Sequence, residues 1–132
     1  MRRENDTVNG SADEKREYFI RLEDGRIPLT YRRAFVAAFR RTPRRHHHAD
    51  FEIAVFKSGS GVYTVGGVEY GIRPGDIFLF STDEVHCITE IHGEGIEYSM
   101  IHFSPSFIWG QHEKSGLHLL KVFFNRSVNF TN

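Results

Sequence analysis

The sequence predicts an all-β protein, built as an antiparallel sandwich or barrel. Between residues 51 and 103, short segments rich in valine, isoleucine, phenylalanine and tyrosine alternate with turn signals. Aromatic residues make up 14% of the chain, and 12 glycines supply the turns. Several short strands at this spacing are typical of antiparallel sheets that fold back on themselves. A length of 132 residues suits a single domain.

The residues before position 51 divide into a polar arm and one strand. The first ~11 residues are polar with scattered charge, which predicts a disordered tail. We assign residues 1–24 to a polar N-terminal arm and residues 25–132 to the folded domain. Within the arm, "ADEKREYFIRLEDG" would form a short helix or stay extended. The segment "YRRAFVAAFRR" is short, aromatic and followed by Thr42 and Pro43, so we expect a strand.

From residue 51 onwards, turn signals separate the predicted strands. The turn signals are "SGSG" at 58–61, "VGGV" at 65–68, "RPGD" at 73–76, "STDE" at 81–84 and "HGEG" at 92–95. The strands between them are "FEIAVFK", "VYTV", "VEYGI", "IFLF", "VHCITEI" and "IEYSMIHF". The paired glycines in "VGGV" favour a tight hairpin, because both turn residues can adopt positive φ.

The C-terminal part has a different periodicity. Leu117, Leu120 and Phe124 recur at positions i, i+3 and i+7. This spacing predicts a short amphipathic helix from about residue 114 to residue 124. Its apolar face would pack against the barrel or against another chain.

Composition and charge narrow the class of protein. The net charge is zero, and the only dense basic run, "FRRTPRRHHH", is more simply a solvated strand end and loop than an anion-binding surface. The single cysteine, Cys87, allows no internal disulfide and is expected to be a buried small hydrophobe. We find no signal sequence and no apolar stretch of roughly 20 residues. A soluble cytoplasmic protein without membrane contact is therefore expected.

The stretch "RRHHHADFE" places three consecutive histidines ahead of a glutamate. If it is largely extended, its side chains alternate between the two faces of a strand. His46, His48 and Glu52 then point one way, and His47 points the other way. His86, at the start of a later predicted strand, comes alongside them if the strands fold back as a meander or a double sheet.

This group has the chemistry of a metal site. Three imidazoles and a carboxylate form a mixed nitrogen and oxygen ligand set that suits Zn, Fe, Mn or Ni. Three interpretations stay open: the four groups bind a metal, contact an effector directly, or only hydrogen-bond to one another. The predicted metal ligands, which are also predicted ligand-binding residues, are His46, His48, Glu52 and His86.

A later strand offers further candidates for a binding pocket. Tyr98, Met100 and His102 share one face of "IEYSMIHF". If that face looks inwards, these residues form part of a pocket wall, and we include Tyr98 and His102 among the ligand-binding residues. We assign no catalytic residue, because no separate acid or base is convincingly placed beside the histidine cluster.

The order of these motifs resembles a known family. The spacing from His46 through His48 and Glu52 to Gly59 resembles the first cupin motif, and "RPGDIFLFSTDEVH" resembles the second. Arg40, Ser81 and Asp83 stand where cupins usually have glycine, proline and glycine. The stretch from roughly residue 25 to the end, including "SMIHFSPSFI", is similar to the N-terminal sensing domain of AraC-type transcription regulators.

The resemblance implies a double-stranded β-helix, or jelly roll, whose interior holds a small effector, which could be a sugar. It also implies a homodimer and a C-terminal DNA-binding domain with two helix-turn-helix units. We expect a sensor domain separated from a longer regulator, because the chain stops at Asn132, where linking helices should begin. The alternative is a metal-dependent cupin enzyme, such as a dioxygenase or a sugar isomerase.

Overall fold

The computed structural model describes residues 2–6, 16–38, 45–109 and 120–123. In these residues seven strands form one sheet, followed by short helical elements, which confirms the all-β prediction. The elements are β1 Arg2–Asp6, β2 Arg16–Arg21, β3 Leu29–Ala37, β4 Phe51–Val65, β5 Val68–Ile72, β6 Ile77–Phe80, β7 His86–Phe103, α1 Pro105–Trp109 and a helical segment at 120–123.

Two long strands organise the sheet. All pairings are antiparallel, in the order β1-β2-β3-β7-β4-β5, and β6 also pairs with β4. Strand β4 runs against β7 from the pair Phe51 and Phe103 to the pair Val65 and His86. Along its other edge, β4 pairs first with β6 and later with β5, so the sheet curls around its central strands.

The long strands correct two of the predicted turns. Turns occur at 66–67, 74–75 and 82–83 as predicted, but "SGSG" lies inside β4 and "HGEG" lies inside β7. The register between β4 and β7 shifts near Ser58 and again near Val62, as β-bulges do. At this bend the backbones approach so closely that a Cβ on Gly61 would overlap the Glu90 carbonyl oxygen.

The N-terminal region also differs from the prediction. Residues 2–6 form β1 and pair with β2, so the expected disordered tail is wrong for these residues, while residues 7–11 lie outside the described part. Residues 16–21 are extended, which is one of the two predicted alternatives, and they pair with β3. The strand expected at residues 31–41 is confirmed as far as Ala37.

The buried residues form two clusters on opposite faces of the sheet. The barrel core consists of Ala54, Phe56, Tyr63, Val65, Ile72, Phe78, Phe80, Ile88 and Ile96, with Tyr98 and Met100 packed against it. The helix-side cluster consists of Phe51, Phe103, Leu120 and Phe123, with residues of α1 and of the facing strands packed against it. Cys87 is buried without a disulfide, as predicted. The alternation along β4 assigns Glu52 to the barrel-core side, since it shares parity with Ala54 and Phe56.

The described helices are short. Residues 120–123 are helical and bury Leu120 and Phe123, which agrees with the predicted C-terminal helix over this part, while Leu117 and Phe124 lie outside the described residues. Among the described residues, no helix is long and apolar enough to cross a membrane.

The close approach of β4 and β7 gives a test of the fold. We expect Gly61→Ala to lower the free energy of unfolding by about 1–3 kcal/mol, because the new methyl group forces the two backbones apart. Gly71→Ala is the matched control: its Cβ would meet no atom within 4 Å, so its effect should stay within about 0.5 kcal/mol. Urea denaturation measures both values. Equal losses in the two variants would contradict the packing described for β4 and β7.

Candidate metal and ligand site

The structure brings together the four residues that the sequence singled out as metal ligands. His46 and His86, at the start of β7, form two backbone hydrogen bonds with each other. The distance is 3.2 Å from His46 N to His86 O and 3.0 Å from His86 N to His46 O. Glu52 is the second residue of β4, and His48 lies in the segment that leads into it. One ligand atom from each of His46, His48, Glu52 and His86 lies within 4.8 Å of all the others.

His47 points away from this cluster, as the alternation predicted. Its side chain is 62% exposed, and its Nδ1 lies 3.4 Å from an Asp83 carboxylate oxygen. Asp83 itself has a positive φ of 61°. Aspartate tolerates this left-handed conformation better than most residues, so it can occupy a position where the cupin motif usually has glycine. In the basic run next to His47, Arg45 is exposed and residues 39–44 lie outside the described part.

Backbone carbonyls orient two of the imidazoles. His48 Nδ1–H donates to the Asp50 carbonyl oxygen at 2.8 Å, and His86 Nδ1–H donates to the Glu84 carbonyl oxygen at 2.7 Å. A carbonyl can only accept, so Nδ1 carries the hydrogen in both rings. In the neutral form, each Nε2 then presents a lone pair towards the site. This is the arrangement in which histidine binds a metal.

Both of these lone pairs meet the same carboxylate oxygen. Glu52 Oε2 lies 2.8 Å from His48 Nε2 and 3.2 Å from His86 Nε2. Two lone pairs repel each other unless a proton or a cation lies between them. The cluster therefore needs either protonated imidazole, which donates to Glu52, or a bound cation.

The pKa shifts agree with this requirement. Glu52 is 1% exposed, and burial alone would raise the pKa of its carboxyl. Contacts with three imidazoles lower this pKa by more than burial raises it, so the pKa lies well below its usual range. The hydrogen bond to Glu52 raises the pKa of His48 above its usual value, against an opposing effect of burial. Without a metal, this pair therefore favours carboxylate and imidazolium.

His102 supplies the third imidazole in contact with Glu52. The register pairs these two residues directly across β4 and β7, and His102 Nε2 lies 3.3 Å from Glu52 Oε2. This contact lacks hydrogen-bond geometry, so His102 Nε2 is buried without a hydrogen-bond partner among the described residues. The ring of His102 is also 4.6 Å from that of His48. His102, predicted as a pocket-wall residue, thus lies beside the four-residue cluster.

Tyr98 shares the barrel-core side with His102 but lies apart from the cluster. It is half-buried and stacks on Phe56 with ring centroids 5.3 Å apart. Four residues of strand separate Tyr98 from His102, which corresponds to roughly 13 Å. Tyr98 therefore contributes to the wall of the interior at some distance from His102 along the strand.

Sequence reasoning did not single out Phe80 for the site. Its ring stacks on His86 at 4.1 Å with an interplanar angle of 10°, and its backbone pairs with Glu52. Phe80 gives the buried imidazole an apolar wall. The alternation in "IFLF" indicated an inward side chain, but its position against His86 depends on the pairing of β6 with β4.

The fold is similar to that of several solved cupin structures. A cupin family protein with a double-stranded β-helix fold from Methanocaldococcus jannaschii has a TM-score of 0.57 and 10% identity over 79% of this chain and 90% of that chain. A cupin protein from Bacteroides fragilis has a TM-score of 0.56 and 20% identity over 76% and 84%. A putative mannose-6-phosphate isomerase from Ralstonia eutropha has a TM-score of 0.53 and 22% identity over 75% and 92%. These likenesses confirm the predicted double-stranded β-helix.

The family follows from the sequence comparison. A search of curated proteins gave no significant match. The family model described as the AraC-like ligand binding domain matches residues 33–127, which is most of the chain and includes the whole histidine cluster. The protein is therefore a cupin-type domain that belongs to the AraC-like ligand binding domain family.

Proposed function

We propose that this domain senses a small molecule inside its barrel on behalf of an AraC-type transcription regulator. The observation that carries the proposal is the convergence of His48 and His86 on the buried Glu52, within an interior otherwise walled by apolar side chains. Ligand sites are typically apolar cavities with a few convergent polar groups. The family match supports a ligand-binding role for this domain.

We further propose that the cluster holds a divalent transition metal. Metal bonds of roughly 2.1 Å place the ligand atoms of a tetrahedral site roughly 3.4 Å apart, so ligand atoms that lie within 4.8 Å of one another would have to draw together by roughly 1.4 Å at most. The orientation of His48 and His86 by backbone carbonyls also fits a ligand role. His46, His48, Glu52 and His86 would hold Zn, Fe, Mn or Ni. The metal would offer a coordination position to an oxygen of the effector.

The sensing step requires that the effector bind two arrangements of the domain with different affinity. The N-terminal strands are candidates for the element that responds, because β2 pairs with β3 at one edge of the sheet and β1 pairs only with β2. In the whole regulator, a C-terminal domain would bind DNA, the protein would be a homodimer, and it would act in the cytoplasm. Each of these features follows from membership of the regulator class.

A metal-dependent cupin enzyme is the second candidate. One of the similar structures is a putative mannose-6-phosphate isomerase, and it has the same fold. His102 adds a titratable group beside the cluster, 3.3 Å from Glu52 Oε2. The sequence placed no separate acid or base beside the histidine cluster. His102 is a candidate for this role, and its position favours the enzyme interpretation.

The two adjacent histidines test the metal site. Protein purified without nickel resin should contain close to one equivalent of a transition metal by elemental analysis. His48→Gln should weaken zinc binding at least ~10-fold, because it removes a ligand. His47→Gln is the matched control, since His47 points away from the cluster, and it should leave affinity unchanged in the same chelator competition. Less than a tenth of an equivalent of metal, or equal effects of the two variants, would contradict the metal site.

Stability should depend on pH in opposite ways with and without metal. The lowered pKa of Glu52 stabilises the fold above the usual value of 4.5, and this contribution is lost as pH falls through the lowered pKa. The raised pKa of His48 stabilises the fold below the usual value of 6.5, and this contribution is lost as pH rises through the raised pKa. The metal-free pair is thus most stabilising between these values. Zinc requires deprotonated His48, so its effect should grow with pH.

Thermal denaturation from pH 5 to pH 8, with chelator and with zinc, measures both trends. The increase in Tm caused by zinc should be larger at pH 7.5 than at pH 5.5. His48→Gln should reduce this difference, because one of the protonatable ligands is lost. A zinc effect that is larger at the lower pH would contradict the proposed competition between the proton and the metal.

The gene tests the regulator context. The reading frame should continue beyond codon 132 and encode two helix-turn-helix units. Sequencing the gene and binding the full product to its own promoter region check this expectation. A stop codon at that point, with no helix-turn-helix unit, would favour the enzyme candidate.

A further inference from the structure

The side chains on the barrel-core side differ in exposure from one strand to the next. On β4 and β6, the side chains of Ala54, Phe56, Phe78 and Phe80 are at most 2% exposed. On the same side of β7, Tyr98, Met100 and His102 are only half-buried. Ile88 and Ile96, on the same side of β7, are buried, so this exposure lies at residues 98–102 and solvent reaches the barrel-core side near this end of β7.

The register places an arginine in this sector. In β3, Arg32 pairs with Met100 and Thr30 pairs with His102. Directly opposed residues of antiparallel strands project on the same face, so Arg32 lies on the barrel-core side. It is two strand positions from the level of His102, which corresponds to roughly 7 Å along the strand. Arg33, the next residue, projects on the other face and forms an ion pair with Glu97 there.

Arg32 carries a positive charge on this part of the barrel-core side. Within β3 and β7 it is the only arginine or lysine on that side, and Arg21 of β2 shares the face of Glu17, while Glu52 supplies a negative charge in the buried cluster. The Arg32 guanidinium currently contacts Glu17 of β2, with Nε and Nη2 at 2.9 and 2.8 Å from Oε1. Both side chains are partly exposed, with 53% for Arg32 and 38% for Glu17. Ion pairs of this kind contribute little to stability, and a competing anion can replace the carboxylate.

His102 adds a second polar group in the same sector. Its Nε2 is buried without a hydrogen-bond partner among the residues described, although it faces the cluster. A polar atom in this state is costly unless a ligand or water satisfies it. Arg32 and His102 therefore offer a polar ligand two positions on the barrel-core side, one on β3 and one on β7.

We propose that the effector is a small organic anion whose carboxylate or phosphate binds Arg32 in place of Glu17, while its other end reaches His102 and the histidine cluster. This inference rests on the proposed function, because it assumes that the barrel interior takes a small molecule. Guanidinium matches carboxylate and phosphate in geometry and charge, and it distinguishes them from neutral analogues.

Matched pairs of small molecules test the charge requirement. The pairs are glucose 6-phosphate with glucose, gluconate with sorbitol, and salicylate with salicylamide, all at constant ionic strength. Calorimetry and thermal denaturation measure binding to the metal-loaded protein. At least one anion should bind at least ten times more tightly than its neutral partner. Glucose 6-phosphate carries a phosphate, and gluconate and salicylate carry carboxylates, so the anion that binds identifies the preferred group. Failure of all three anions to bind, or equal binding of a neutral partner, would overturn the proposal.

Three variants test the residue assignment. Arg32→Gln should weaken binding of that anion at least tenfold, and Arg33→Gln, on the opposite face, should change it less than twofold. Glu17→Gln should tighten binding, since it removes the competing carboxylate. A merely structural Arg32 to Glu17 ion pair would instead make the Arg32 and Glu17 variants behave alike. That result, or an equal loss in Arg33→Gln, would overturn the proposal. Circular dichroism checks that the variants are folded.

Metal content measured on the same samples separates this inference from the proposed function. Arg32→Gln should retain the metal content of the wild type, because Arg32 is not a ligand. If metal binds and no anion does, this inference is wrong and the metal site stands. If an anion binds through Arg32 in protein that holds no metal, the anion site stands and the metal site is wrong.

Discussion

The buried Glu52 carboxylate sets the main constraint on the structure around it. A carboxylate that is 1% exposed is tolerated only if positive charge, hydrogen bonds or a cation compensate for the lost water. Here the compensation comes from imidazoles on three parts of the chain: the segment before β4, the beginning of β7 and the end of β7. The closure of the barrel and the chemistry of the site are therefore consequences of the same contacts.

The sequence predicted this cluster because strand alternation is a local rule. Parity alone separated His47 from His46 and His48, and it placed Tyr98 and His102 on one face. The segment from 45 to 50 is in fact irregular rather than a strand, with bends at Ala49 and Asp50. The prediction still succeeded, because the bridge between His46 and His86 fixes the start of the segment and β4 fixes its end.

The failures came from features that depend on residues distant in the sequence. Glycine inside a strand and glycine in a turn look alike locally, so the stretches around Gly59 and Gly93 carry turn signals although they lie within strands. What places them within strands is the partner strand, which approaches so closely that no side chain fits at Gly61. The position of Arg32 could not be predicted for the same reason, since its face is known only from the register of β3 with β7.

At the start of β4 and the end of β7, neighbouring residue pairs belong to different clusters on the two faces of the sheet. Glu52 pairs with His102 in the polar cluster, and their immediate neighbours Phe51 and Phe103 pair and stack at 5.5 Å on the reverse face. Phe51 and Phe103 both contact Phe123 of the helical segment at 120–123. Adjacent residues of a strand are joined by a planar peptide group, so a displacement of β4 against β7 that separates Glu52 from His102 also separates the two phenylalanines. The packing of the helical segment at 120–123 is thus coupled, through these paired residues, to the geometry of the polar cluster.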